Sequence, residues 1–247
     1  MAYISNILAA KKREPRHPPK LWPLDPFYDP RVPAFSRIGP HRIEIYSIFY
    51  GTLLGNGYGE RHGDGARIHF HQSHIHRSYL NWLHQRVRQY GYVNLNLPRT
   101  LKQIGDNGTV YYSLKFRTWT FSSLIPLVDS WYAPPSYPGG NRKKILPHDR
   151  EEYYTPLSLA LTIMDDGHYT GYGIQIGTDC FTEEEVNFLA NMLYRKFNLI
   201  ASIHIKKKGW RLYIQKASMT TVRELIKEYI CESMLYKRDL MNFKKSN

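Results

Sequence analysis

Hydrophobic and polar positions lay out one series of elements and then repeat it. Residues 43–55 read as a helix, with Gly51 and Gly55 at i and i+4 on one face, where a second helix can come close. Residues 67–72 alternate as a strand, Ile68 and Phe70 facing one way and Arg67, His69 and His71 the other. Tyr79, Leu80, Trp82, Leu83, Arg86 and Val87 suit an amphipathic helix ending near Gly91. Two strands follow. In the one over 109–119, Val110, Tyr112, Leu114 and Phe116 take a core face. Tyr111, Ser113, Lys115, Arg117 and Trp119 are left on a polar, aromatic and basic face. A short helix over 122–132 ends the series.

The order then begins again. Thr155-Pro156 opens a helix, with proline suited to its first turn. That helix ends in Leu159-Ala160-Leu161-Thr162-Ile163-Met164-Asp165-Asp166-Gly167, which aligns without a gap on Phe49-Tyr50-Gly51-Thr52-Leu53-Leu54-Gly55-Asn56-Gly57. Residues 171–178 read as a strand, and Thr182-Glu183-Glu184-Glu185 as a capping box opening a helix through Val186, Phe188, Leu189, Met192 and Leu193. Strands over 200–206 and 210–216 and a helix over 220–229 complete the copy. The expected class is mixed α/β (α+β), with two αββαββα repeats at 43–132 and 151–247 joined by a linker at 133–150. Residues 1–42 hold most of the chain's 15 prolines and read as an extended basic arm, with Arg37 among its cations.

The formal charge of +13 points to a polyanionic partner, nucleic acid or an anionic membrane. No apolar run approaches the roughly 20 residues of a spanning helix. Cys180 and Cys231 have no metal spacing and form no disulfide framework, which favours a reducing compartment.

The alignment also carries candidate chemistry. Two helices ending together would place Asn56 and Asp166 side by side near a pseudo-axis. A carboxylate there suits Mg²⁺, which can activate water and stabilise a leaving oxygen in phosphodiester hydrolysis. Asn56 offers a neutral oxygen, so that site has one charge fewer. Asp165 is expected to cap or structure the turn. If the polyanion is duplex DNA, the polar strand faces are the expected reading surface, with Arg67, His69, Lys115, Arg117, Gln175, Arg211, Tyr213 and Gln215 as DNA-contacting candidates. A bare face carrying Tyr111, Trp119 and Tyr213 would expose much apolar surface.

Taken together, the two motifs, the repeat order and the basic linker resemble the LAGLIDADG homing endonucleases in their single-chain form, over about residues 43–237. The likeness is greatest to the branch found in organelle introns. It implies motif helices packed at the centre of a pseudo-two-fold, and curved antiparallel sheets forming a saddle over double-stranded DNA. It also implies a monomer in a mitochondrial or other organelle matrix, with no membrane partner. Asp166 matches the family's metal-binding acid and Asn56 stands at the position of the other, with Mg²⁺ or another divalent cation as cofactor. Lys144, and Lys237 in Met234-Leu235-Tyr236-Lys237, match lysines bordering the active site. The departure at Asn56 keeps a second expectation open, an RNA maturase that assists splicing of a group I intron.

Overall fold

The computed structural model describes residues 20–21, 32–135, 142–207 and 209–235. Strands β1 (Lys20–Leu21) and β2 (Arg37–Ile38) pair in parallel. The end of the proline-rich zone packs on the body. Arg37 is buried, its Nη1 donates to Thr120 O at 3.0 Å, and its guanidinium lies 5.3 Å from the Trp119 ring centroid. Arg37 is thus unavailable to phosphate, and Trp119 is partly covered by it. His41 is held between the Tyr92 hydroxyl (2.6 Å) and Ser123 Oγ (2.8 Å), and burial pushes its pKa down to about 4. Most of the expected arm, 1–19 and 22–31, lies outside the described residues.

One series of elements follows: α1 (Ile43–Leu54), β3 (Tyr58–His62), β4 (Gly65–Ser73), α2 (Arg77–Gln89), β5 (Arg99–Ile104), β6 (Val110–Arg117) and α3 (Ile125–Ser130). The second is α4 (Pro156–Asp166), β7 (Gly167–Tyr169), β8 (Ile174–Gly177), α5 (Glu183–Phe197), β9 (Ala201–Lys206), β10 (Gly209–Ile214) and α6 (Met219–Ile226). The sheets run β3-β4-β6-β5 and β7-β8-β10-β9, antiparallel throughout. The two series therefore share element order and sheet topology.

Local chemistry explains the helix limits. Thr155 and Ser158 form a capping box at α4, with Pro156 in its first turn. Thr182 and Glu185 do the same for α5, which carries Glu183 and Glu184 at its start, Arg195 and Lys196 at its end, and Asn198 in the left-handed region (φ 54°) just past it. Each sheet rests its apolar face on an amphipathic helix. In the first repeat α2 buries Tyr79, Leu80, Leu83 and Val87, and its His84 ring packs edge-on against Phe116.

Helices α1 and α4 are different. They bury residues on every side, including Ile45, Phe49 and Leu53 of α1 and Leu159, Leu161 and Ile163 of α4. A helix with no polar face belongs in a protein interior, and these two pack against each other at the centre of the core.

Candidate nucleic-acid interface and active centre

The two central helices touch at backbone distance. A Cβ on Gly51 would lie 2.6 Å from Ser158 O and 2.9 Å from Leu161 Cβ, and one on Gly55 would lie 2.5 Å from Asp165 Cβ. Gly51 aligns on Leu161 and Gly55 on Asp165, so matching positions meet. That is what a two-fold axis between the helices requires. Hydroxyls reach across the contact: Ser158 Oγ lies within donating distance of Ser47 O (2.8 Å) as well as Tyr153 O (2.9 Å), and Thr162 Oγ1 of Gly51 O (3.1 Å) as well as Ser158 O (3.0 Å).

Lys144 gathers the end of α1. Its Nζ donates to Leu53 O (2.8 Å), Gly55 O (3.3 Å) and Gly57 O (2.9 Å). These carbonyls bracket Asn56 at the negative end of the helix dipole. Burial lowers the Lys144 pKa, while the charges of Cys180, Asp166 and Asp165 act the other way. The lysine thus feels the carboxylates at the end of α4 while it grips the end of α1.

Asp165 does more than structure its turn. Its Oδ1 accepts from Gln72 Nε2 at 2.7 Å and from the Tyr79 hydroxyl at 2.8 Å, both in the other repeat. With Asn56 and His71 it lines a small cleft. The expectation of a local role is corrected: with Gly55 opposite, the side chain reaches across the pseudo-axis. Among the described residues no three His, Cys, Asp or Glu side chains are grouped to hold a metal. Lys237 lies outside the described residues.

Strand register defines the outer faces. Arg67, His69, Lys115 and Arg117 share one face of the first sheet, since His69 pairs with Arg117 and His71 with Lys115. Arg99 pairs with Lys115 and joins them, a residue the sequence reading missed. A groove of about 360 Å³ runs past His69, Asn94, Asn96, Arg99, Lys115 and Arg117. On the second sheet Tyr213 pairs with Gln175, and Arg211 with His204, on one face. Gln215 follows β10, its N–H bonded to Ile200 O.

Several of these side chains already have partners. Glu60 Oε2 accepts from Arg67 Nε at 2.7 Å and contacts His69 Nε2 at 2.6 Å. The Arg67 hydrogen bond leads in drawing the Glu60 pKa down to about 2, and burial lowers that of His69. Arg211 pairs with Asp179 at 2.6 Å. Glu60 was also missed, although a signal existed. Gly63-Asp64 makes a two-residue hairpin loop, and counting back from it places Glu60 opposite Arg67.

The sequence profile of the LAGLIDADG DNA endonuclease family matches residues 46–222. The chain belongs to this family. A relative named cytochrome b mRNA maturase bI2, from Saccharomyces cerevisiae, is 37% identical over 207 residues, covering 82% of this chain and 49% of its own length. The LAGLIDADG chain thus spans about half of that relative. A second, from Dictyostelium discoideum, is named intron-encoded endonuclease ai4 and is 38% identical over 162 residues, covering 63% of this chain and 97% of its own. The solved structure of the homing endonuclease I-WcaI bound to its DNA recognition sequence superposes with a TM-score of 0.69 at 25% identity, over 82% of this chain and 88% of that one. The fold of this LAGLIDADG chain is thus the mixed α+β homing-endonuclease fold.

Proposed function

We propose that this chain recognises a specific double-stranded DNA site as a monomer. Its ancestral reaction is hydrolysis of one phosphodiester in each strand, in the manner of an intron-encoded homing endonuclease of an organelle matrix. The observation that supports this best is the centre between the sheets. Lys144 grips the carbonyls around Asn56 while lying in the field of Asp166. The basic sheet faces then serve as the DNA-reading surface, with Lys115, Arg117, Gln175, Arg211, Tyr213 and Gln215 as contacts.

One carboxylate and one amide oxygen suit a hard cation such as Mg²⁺, which completes its shell with water and phosphate oxygens. Such an ion supplies an activated water and neutralises the leaving oxygen. The protein's part is positional. Asp166 would hold the ion through its carboxylate and Asn56 through a neutral oxygen, while the Asp165 carboxylate is engaged by Gln72 and Tyr79. Lys144 has three donors and three carbonyl acceptors, so its effect on a scissile phosphate is that of a fixed positive charge. Lys237 is assigned the matching place in the second half.

Asn56 favours a second reading. A chain that assists intron RNA folding has no need of two acids, and the relative from Saccharomyces cerevisiae is named an mRNA maturase. Both readings are tested by comparing the chain with its Asn56→Asp variant, in Mg²⁺, on DNA spanning many intron insertion sites. The expected result is specific binding by both forms and cleavage at least about tenfold faster by the variant, because the restored charge strengthens the metal site. If neither form binds duplex specifically while the chain binds group I intron RNA, the maturase reading replaces the nuclease.

A further inference from the structure

Within the paired strands of the first sheet, Glu60 is the one carboxylate on the reading face. It sits opposite Arg67, and its neighbour on the same face, Tyr58, stacks on the His69 ring at 4.4 Å. Both contacts to the carboxylate fall on one oxygen, Oε2. The Glu60 side chain is 38% exposed, against 11% for Arg67 and 6% for His69. Two covered bases thus orient an accessible acid, and Oε1 stands outside their grip.

A carboxylate can only accept hydrogen bonds. On a major-groove face it is repelled by phosphates and by the N7 and O6 acceptors of guanine. Adenine offers an amino group, but its N7 acceptor stands beside it. Cytosine offers its N4 amino group without that neighbour. We propose that Glu60 is a base-reading residue that selects cytosine at one position of the DNA site, with Arg67 and His69 serving as its braces. This rests on the DNA-recognition function proposed above. It also changes the roles of Arg67 and His69, which the sequence alone suggests as readers.

The test is selection from a randomised duplex pool by the full chain and by its Glu60→Gln and Glu60→Ala variants, with thermal melting to confirm that each folds. The unaltered chain should enrich cytosine at one position. Glu60→Gln should turn that preference to adenine by about tenfold, since a glutamine amide pairs with N6 and N7 together. Glu60→Ala should accept any base there, with all other positions unchanged. A second measurement needs no variant. N4-methylcytosine at the selected position keeps its Watson–Crick hydrogen but loses the groove-facing one, and should weaken binding of the unaltered chain by about tenfold. A uniform gain in affinity across sequences in both variants would overturn the inference, because Glu60 would then act only by repelling phosphate. So would an unchanged preference. If the unaltered chain enriches no sequence, the DNA-recognition reading itself fails, whatever the variants do.

Discussion

The two central helices align residue for residue across their motifs and yet do different work. Helix α4 begins with a capping box and sends hydroxyls across the axis from Ser158 and Thr162. It ends in two carboxylates, Asp165 and Asp166. Helix α1 has no side-chain cap at its start, and its Thr52 hydroxyl bonds back to Ile48 O and Phe49 O within the same helix. It offers gaps at Gly51 and Gly55, carbonyl acceptors, and a neutral Asn56. One helix supplies protrusions, donors and charge; the other supplies hollows and acceptors. A duplicated element can divide labour in this way because each residue on the axis faces its own counterpart. A large residue on one side therefore demands a small one on the other.

The sharpest way to break this comparison is to fill a hollow. Gly51→Ala places a Cβ 2.6 Å from Ser158 O and 2.8 Å from Ser158 Cα. Those atoms are helix backbone and cannot swing aside, so the helices must part. The expected loss is about 3 kcal/mol, at the upper end of overpacking effects, read from urea unfolding. A loss below about 1 kcal/mol would mean that the helices do not meet this closely in solution.

A smaller effect is expected where a charge crosses the axis. Asp165→Ala leaves the Tyr79 hydroxyl, which is fully buried, and the Gln72 amide without their shared acceptor. The expected cost is about 2 kcal/mol. Asp165→Asn keeps an acceptor oxygen and should recover most of it. In the Asp165→Ala background, Tyr79→Phe should add little, because the hydroxyl has already lost its partner. Additive losses in this cycle would show that Asp165 and Tyr79 do not act as a unit.

Legibility followed the range of the interaction. The motif alignment, the strand alternation of 67–72 and the capping boxes were readable because their signals repeat within a few residues. The glycine face of α1 was readable too, and the resemblance paired it with α4; the contacts of Gly51 with Ser158 and Leu161 follow only from the packed helices. Glu60 could have been placed from the Gly63-Asp64 loop, since a two-residue turn fixes hairpin register. Asp165 could not. Its partners stand 86 and 93 residues away, and only the packing of one repeat on the other brings them together. Lys144 was picked out by resemblance, but its hold on the α1 carbonyls follows from the path of the linker, on which the local sequence carries no period.

The finest test separates the two aligned threonines. Thr162 Oγ1 shares its proton between Gly51 O across the axis (3.1 Å) and Ser158 O in its own helix (3.0 Å), and it accepts from the buried Tyr154 hydroxyl at 3.2 Å. Thr52 Oγ1 serves only its own helix, whose carbonyls already accept backbone hydrogen bonds. Valine has nearly the same shape, so each substitution removes a hydroxyl with little change in packing. Thr162→Val should therefore cost about 1–2 kcal/mol, because it removes a hydroxyl shared between the two helices and strands a buried phenol. Thr52→Val should cost less than about 0.5 kcal/mol, since valine loses only a back-bond that competes with the helix. Unfolding of both variants under one set of conditions decides it. Equal losses would mean that the cross-axis hydroxyl bond adds nothing beyond the apolar contact. The division of labour between the helices would then rest on glycine and charge alone.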